Sequence, residues 1–265
     1  MPTLLSFRKF SRRAPVLRLA TLALGLGFFC GHGAAGELKV LTTGAFKPVV
    51  TEAAKRFSEA NGTQVTVDND TAGALARRVE GGEAFDVLIL TPTALGALQK
   101  KERVGQGAPV PLAKVGIGVA VKAGAPKPDV STPDAFTAEL RAARKVAMID
   151  PASGGSSGIY LVGLFERMGI ADEMKAKAVL VPGGLVATRV VSGEADLAIH
   201  QVSEILAVPG AELVGPLPAA IQNYTIYAGA LAPAPSNANM AAKFLATLAA
   251  PDMAPILASK GMEKP

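Results

Sequence analysis

Cysteine is nearly absent from this chain, tryptophan is missing altogether, and histidine occurs only twice. The single cysteine, Cys30, and one histidine, His32, fall in the first 36 residues, a stretch that reads as a removable leader. The remainder has no thiol and one histidine, His200. Disulfides, thiol catalysis, cysteine zinc sites and histidine-rich metal centres are therefore excluded by count. No metal cation and no organic cofactor is expected.

With the leader set aside, an excess of either charge sign is also lacking. Arg8, Lys9, Arg12, Arg13 and Arg18 precede an apolar run at 19–30. That is the order of an export signal, and the run is too short for a spanning helix of about 20 residues. Gly33-His-Gly-Ala-Ala-Gly36 supplies the small residues that a signal peptidase needs, which places a signal peptide at 1–36 with cleavage near Ala35 or Gly36. Phe28 and Phe29 stand where a lipidated leader needs small residues, so a soluble product in the periplasm is expected. Five of the 27 basic residues and none of the 22 acidic ones lie in the leader, leaving 22 of each sign in the mature chain. The basicity that would suggest nucleic acid is discarded with the leader, and no nucleic-acid partner is expected.

What the mature chain does have is alternation. Short aliphatic runs at 38–41, 64–67 and 87–90 are each followed by a helix-patterned segment, at 49–60, 75–79 and 94–100. The order continues with a strand at 115–121, a helix over 133–143, a strand at 146–149 and helical spacing over 159–168. Strands at 178–181, 197–200 and 222–230, with helices at 185–191, 237–249 and 252–259, complete it. Such βα alternation requires crossovers and parallel strands.

Two long strand candidates, 114–122 and 222–231, bracket a central block that is itself a set of βα units. They are read as strands crossing between lobes. The expected fold class is α/β, with two lobes, each a mainly parallel sheet flanked by helices, joined by two crossing strands. Lobe one takes residues 37–118 and 224–265, lobe two 119–223, and a cleft lies between them. In open α/β sheets ligands sit beyond the carboxyl ends of the strands. The loops there are Thr42-Thr43-Gly44-Ala45, 68–73, Leu90-Thr91-Pro92-Thr93, 150–158, Pro182-Gly183-Gly184 and 200–203, nearly all rich in hydroxyls or glycine.

The loop Asp150-Pro-Ala-Ser-Gly-Gly-Ser-Ser-Gly-Ile-Tyr160 carries the most chemistry. Gly154, Gly155 and Gly158 open backbone conformations closed to other residues, and Ser153, Ser156 and Ser157 put hydroxyls beside the unpaired N–H groups of a helix start. This is either a cradle for negative oxygen atoms that needs no cationic side chain, or a serine-capped turn without a ligand. Arg77, Arg78 and Arg189 are read as solvated helix faces, although a bidentate guanidinium would favour a carboxylate. Asp86 and Asp150 are read as caps or ties at strand ends, and His200 as a structural or cleft-rim hydrogen-bonding group.

The segments 38–45, Thr71-Ala-Gly-Ala-Leu-Ala-Arg-Arg-Val-Glu-Gly81, Phe85-Asp-Val-Leu-Ile-Leu90, 150–160 and Gly193-Glu-Ala-Asp-Leu-Ala-Ile199 follow an order that resembles the periplasmic molybdate-binding proteins of ABC importers, of the type II periplasmic binding protein fold. The resemblance covers essentially the whole mature chain. It implies a soluble, non-enzymatic receptor, monomeric, that closes on a small anion and presents it to an ABC permease. It also implies an oxyanion held by neutral donors: hydroxyls at Thr43 and Thr71, and amides near Ser157 and Gly184-Leu185. The family's binding tyrosine is replaced here by Gln201. An amide can donate to an oxyanion of molybdenum or tungsten but also to a planar organic carboxylate, so the ligand stays open between the two. With the loops above, the candidate contacts are Thr43, Gly44, Thr71, Ala72, Thr91, Ser153, Ser156, Ser157, Gly184, Leu185 and Gln201.

An exported serine hydrolase is a competing class, since Gly154-Gly-Ser156-Ser-Gly158 matches G-x-S-x-G. A nucleophile elbow places its serine directly after a strand, whereas five residues separate Asp150 from Ser156 here. Asp196 and His200 lie across a short strand, roughly 13 Å apart, too far for a catalytic couple.

Overall fold

A computed structural model describes residues 36–265 of the protein. Residues 1–35 of the expected leader, with Cys30 and His32, lie outside the described residues.

The chain starts with β1 (Glu37–Thr43), α1 (Lys47–Asn61), β2 (Gln64–Asp70), α2 (Ala72–Glu80), β3 (Val87–Leu90) and α3 (Pro92–Lys100). β1 lies between β2 and β3, parallel to both. Successive residues of a strand face opposite sides, and here both sides are covered. Val40 and Ile89 join Phe46, Val49 and Phe57 of the α1 side, while Leu41, Leu88 and Leu90 pack with Leu75, Leu95 and Leu98 of α2 and α3. α1 carries Pro48 in its first turn and stops at Gly62, whose φ of 63° is the left-handed conformation that ends a helix.

Next comes the long strand β4 (Val110–Lys122), then α4 (Pro133–Ala142), β5 (Val146–Ile149), α5 (Ser156–Arg167), α6 (Ala171–Lys177), β6 (Ala178–Val181), α7 (Thr188–Val191), β7 (Leu197–Gln201), α8 (Val202–Leu206) and β8 (Ala211–Pro216). β5 is parallel to β6 and β7, and β4 is antiparallel to β7 and β8. The two faces of this second sheet are again filled separately. Ile117, Val119 and Met148 meet Phe136, Leu140, Leu161 and Leu164 on one side; Ala120, Ala147 and Ile149 meet Val186, Val190 and Ile205 on the other.

The chain returns through β9 (Tyr224–Leu231), antiparallel to β3 and β4, and ends with α9 (Ala238–Ala249) and α10 (Ala254–Ser259) against the α1 side of the first sheet. β4 belongs to both sheets. Val110–Gly116 pairs with β9, and from Ile117 onward its partners are β7 and β8. At the changeover the Gln222 side chain replaces a strand: its amide donates to the Ile117 carbonyl and its oxygen accepts from the Ile117 N–H, both at 2.9 Å.

Some elements differ from the sequence-based expectation. β4 begins at Val110, with Pro111 accommodated where the register shifts. The edge strand β8 and the short helices α6 and α8 were not expected, because four to seven residues show too little periodicity to separate from a loop. Of the helix expected at 185–191, only Thr188–Val191 forms.

Candidate functional site

The carboxyl ends of β1, β2, β5 and β7 converge on one cavity of about 40 Å³. Eight of the eleven candidate residues line it: Thr43, Gly44, Thr71, Ala72, Ser156, Ser157, Gly184 and Gln201. Three do not. Thr91 caps α3 by accepting from Ala94 N–H and lines a neighbouring open recess with Ser156 and Tyr224. The Ser153 hydroxyl donates to the Asp150 carbonyl at 2.7 Å. Leu185 packs against the second sheet, and its carbonyl accepts from Thr188.

The donors divide into free and occupied. α5 starts at Gly155 without any side-chain cap, so the amides of its first turn, at Ser156 and Ser157, meet the cavity as a fixed partial positive charge. Thr43 Oγ1 is buried facing the Tyr227 phenol, without a hydrogen bond of normal geometry among the described residues. Thr71 is fully used: its hydroxyl accepts from Ala74 N–H at 3.1 Å and donates to the Ser153 carbonyl at 2.6 Å. Gln201 Nε2 donates to Thr225 Oγ1 at 2.8 Å, leaving Oε1 buried without a partner.

Thr71 and Ser153 belong to a clasp between the two sheets. Gly73 N–H donates to the Gly154 carbonyl at 3.1 Å, and a Cβ added at Gly73 would stand 2.8 Å from Gly154 Cα. Gly154 has a φ of 82°, so it needs to be glycine on conformational grounds as well. Two backbones approach this closely only where neither residue has a side chain.

Sequence reasoning set His200 at the cleft rim but missed Glu204 and Tyr227 in the ionisable wall of the cavity. His200, Glu204 and Tyr227 all line it. Glu204 Oε2 lies 3.3 Å from His200 Nε2, and both side chains are buried. Desolvation pushes the Glu204 carboxyl up to about 8 and the His200 imidazole down to about 3, so near neutrality the pair carries little charge. Tyr227 is pushed above the ordinary phenol range, first by burial and then by Glu204. Gly44 makes this possible, because a Cβ there would stand 2.5 Å from Glu204 Oε1. The one available sequence signal was the i, i+4 spacing of His200 and Glu204.

Among the described residues, no cationic side chain lines the cavity. Arg78 is held by Asp68, Asp70 and Glu83, Arg189 pairs with Glu194, and Arg77 reaches only the Ser153 carbonyl at 3.5 Å. Asp86 accepts from Lys39 N–H and from Ser236, and Asp150 caps the turn that follows it. Asp196 pairs with Arg144. His200 does have a carboxyl partner, in Glu204, yet no serine hydroxyl bonds its free Nδ1.

Residues 38–263 match the family described as bacterial extracellular solute-binding protein. The chain belongs to that family. An aconitate isomerase from a Pseudomonas species is 34% identical over 257 residues, 95% of this chain and 97% of that protein. Among solved structures, the Azotobacter vinelandii periplasmic molybdate-binding protein has a TM-score of 0.72 at 18% identity, covering 86% of this chain and 99% of that one. The sulfate-binding protein of Mycobacterium tuberculosis has a TM-score of 0.69 at 18% identity, covering 86% and 87%. The fold is thus that of the type II periplasmic binding proteins, α/β with two lobes. The expectation of a protein without enzymatic activity is corrected by the isomerase, which matches this chain along nearly its whole length under the name of an enzyme.

Proposed function

We propose that this chain is a periplasmic isomerase built on the solute-binding fold, acting on a small unsaturated polycarboxylic acid of the aconitate type in the interlobe cleft. The observation that carries the proposal is Glu204, a buried carboxyl on the cavity wall whose proton affinity is raised to about 8. Such a group suits a proton-transfer catalyst, since the effective acid or base is one whose pKa lies near the working pH.

Exchanging the isomers of an aconitate-type acid requires a proton to leave the CH2 carbon and return at the far end of the allylic system. In this proposal the Glu204 carboxylate accepts that proton, the electron pair spreads through the allyl group into an adjacent carboxylate, and the proton is given back to the other terminal carbon. The α5 amides and the Thr43 hydroxyl hold the carboxylate on which charge accumulates.

A receptor that passes a molybdate-like oxyanion to an ABC permease is supported by the free α5 amides and by the cavity of about 40 Å³, room for only a few water molecules. A tricarboxylic acid is larger, and its entry requires the lobes, taken as 37–118 with 224–265 and 119–223, to part. Proton NMR of trans-aconitate incubated with the protein separates the two roles. Conversion to the cis isomer that is lost in Glu204→Gln supports the isomerase, whereas binding of molybdate without any conversion supports the receptor.

A further inference from the structure

We propose that Glu204 and His200 form a proton relay that makes anion binding in the cleft conditional on the uptake of one proton. This rests on the cleft taking an anion and not on the isomerisation.

The geometry supplies three parts. The imidazole and the carboxyl are in contact at 3.3 Å and buried, 3% and 8% exposed. His200 Nδ1, the ring atom not facing Glu204, is buried without a partner on a residue that lines the cavity. Among the described residues, no lysine or arginine lines the cavity to neutralise an incoming charge.

The other titratable groups on the cavity wall are Tyr227 on β9 and Asp70 at the end of β2. Asp70 accepts from Thr71 N–H at 2.8 Å and lies 3.6 Å from Arg78. The strands packed against α8 carry Lys114, Lys122 and Glu212, and none of these lines the cavity. Lys114 pairs with Glu263, and Glu212 with Lys127. Proton uptake near the anion therefore falls to the Glu204–His200 pair.

The pair has two arrangements. With Glu204 ionised, Nε2–H donates to the carboxylate and Nδ1 offers a bare lone pair, so the pair presents an anion with a negative charge and no donor of its own. One proton from solvent arriving at Nδ1, as the Nε2 proton passes to Glu204, yields a neutral carboxyl donating to Nε2 and an Nδ1–H donor. The charge of the pair changes from −1 to 0, and no electrons are exchanged. Burial alone balances the two arrangements at a pH of about 8, and a bound anion moves that balance to higher pH. Run in reverse, the relay hands its proton to a substrate carboxylate and leaves Glu204 as the carboxylate that removes a proton from carbon.

The test is calorimetric titration with tricarballylate, a saturated tricarboxylate with no double bond to move, and separately with molybdate. Each titration is run at pH 6.5 and pH 9 in two buffers of different ionisation enthalpy. The expected result is uptake of close to one proton per anion at pH 9 and close to none at pH 6.5, with affinity falling about tenfold per pH unit above 8. Glu204→Gln binds with no uptake at either pH. His200→Leu, which leaves the carboxyl but removes the Nδ1 donor, binds more weakly at both. Binding at pH 9 without uptake, unchanged affinity in His200→Leu, or no heat from either anion overturns the relay. Uptake with molybdate but no binding of tricarballylate sustains the relay and removes the polycarboxylate reading instead.

Discussion

His200 Nε2 lies 3.3 Å from Glu204 Oε2, and His200 Nδ1 has no hydrogen-bond partner among the described residues. Burial acts on them in opposite directions, and stability therefore depends on pH from both sides. Between 4.5 and about 8 folded Glu204 keeps a proton that the unfolded chain has lost, so its contribution is complete below 4.5 and is lost as the pH rises through 8. Between 6.5 and about 3 folded His200 lacks a proton that the unfolded chain binds, so stability falls as the pH drops through that window. Melting curves at pH 5, 6.5 and 8 are expected to show Glu204→Gln gaining on the parent protein as the pH rises. Parallel curves would place Glu204 in a solvated environment.

Gly44 and Glu204 occupy one volume between them. Gly44→Ala puts a methyl group 2.5 Å from Glu204 Oε1, and the carboxyl has to move. Turnover of trans-aconitate is expected to fall on the order of 100-fold, the cost of misplacing a reacting group by about 1 Å. The melting temperature should change little, because Gly44 follows a strand end and its φ is not left-handed. A turnover equal to that of the parent protein would contradict the assigned role of Glu204.

The Gly73–Gly154 approach holds the two sheets together at the cleft. Gly73→Ala brings a methyl group against the Gly154 backbone and opposes closure directly. Small-angle scattering of the molybdate- or tricarballylate-saturated protein is expected to give a larger radius of gyration for this variant, together with at least about tenfold weaker binding, equivalent to ~1.4 kcal/mol. Identical scattering and affinity would show that the clasp is not needed for binding.

Phe46 is fully buried two residues beyond Gly44, with its ring 6.1 Å from that of Tyr227. Phe46→Ala is expected to cost about 3–5 kcal/mol in urea unfolding, through lost burial and a residual cavity. It also loosens the floor on which Tyr227 rests, so activity should fall further than the unfolded fraction accounts for.

The β1, β3 and β5 cores were readable because Val40 and Leu41, like Leu88 and Ile89, are neighbours in sequence buried on opposite faces of one sheet. Such double-sided burial leaves unbroken aliphatic runs. Thr43, Thr71, Ser156 and Gln201 were readable as strand-end residues, and the parallel topology brings strand ends together. Ser153 and Thr91 have the same composition but turn their hydroxyls to local backbone groups, a choice set by loop geometry that residue type does not encode. Glu204 was not readable because a carboxyl in a strand-following loop is ordinarily solvated. Its burial depends on a glycine 160 positions earlier in the chain, across the cleft. Tyr227 was hidden differently: in Tyr224–Leu231 it shares a face with Thr225, and only the placement of β9 beside β3 and β4 brings it to the cavity.

The most direct measurement of the central claim is the proton NMR time course of trans-aconitate with the purified protein and with Glu204→Gln, both checked for folding by circular dichroism. The predicted result is growth of the cis-aconitate signals with the parent protein and none above background with the variant. Equal conversion by both would remove Glu204 from the chemistry. No conversion by the parent protein would contradict the isomerase assignment and leave a cleft that only binds.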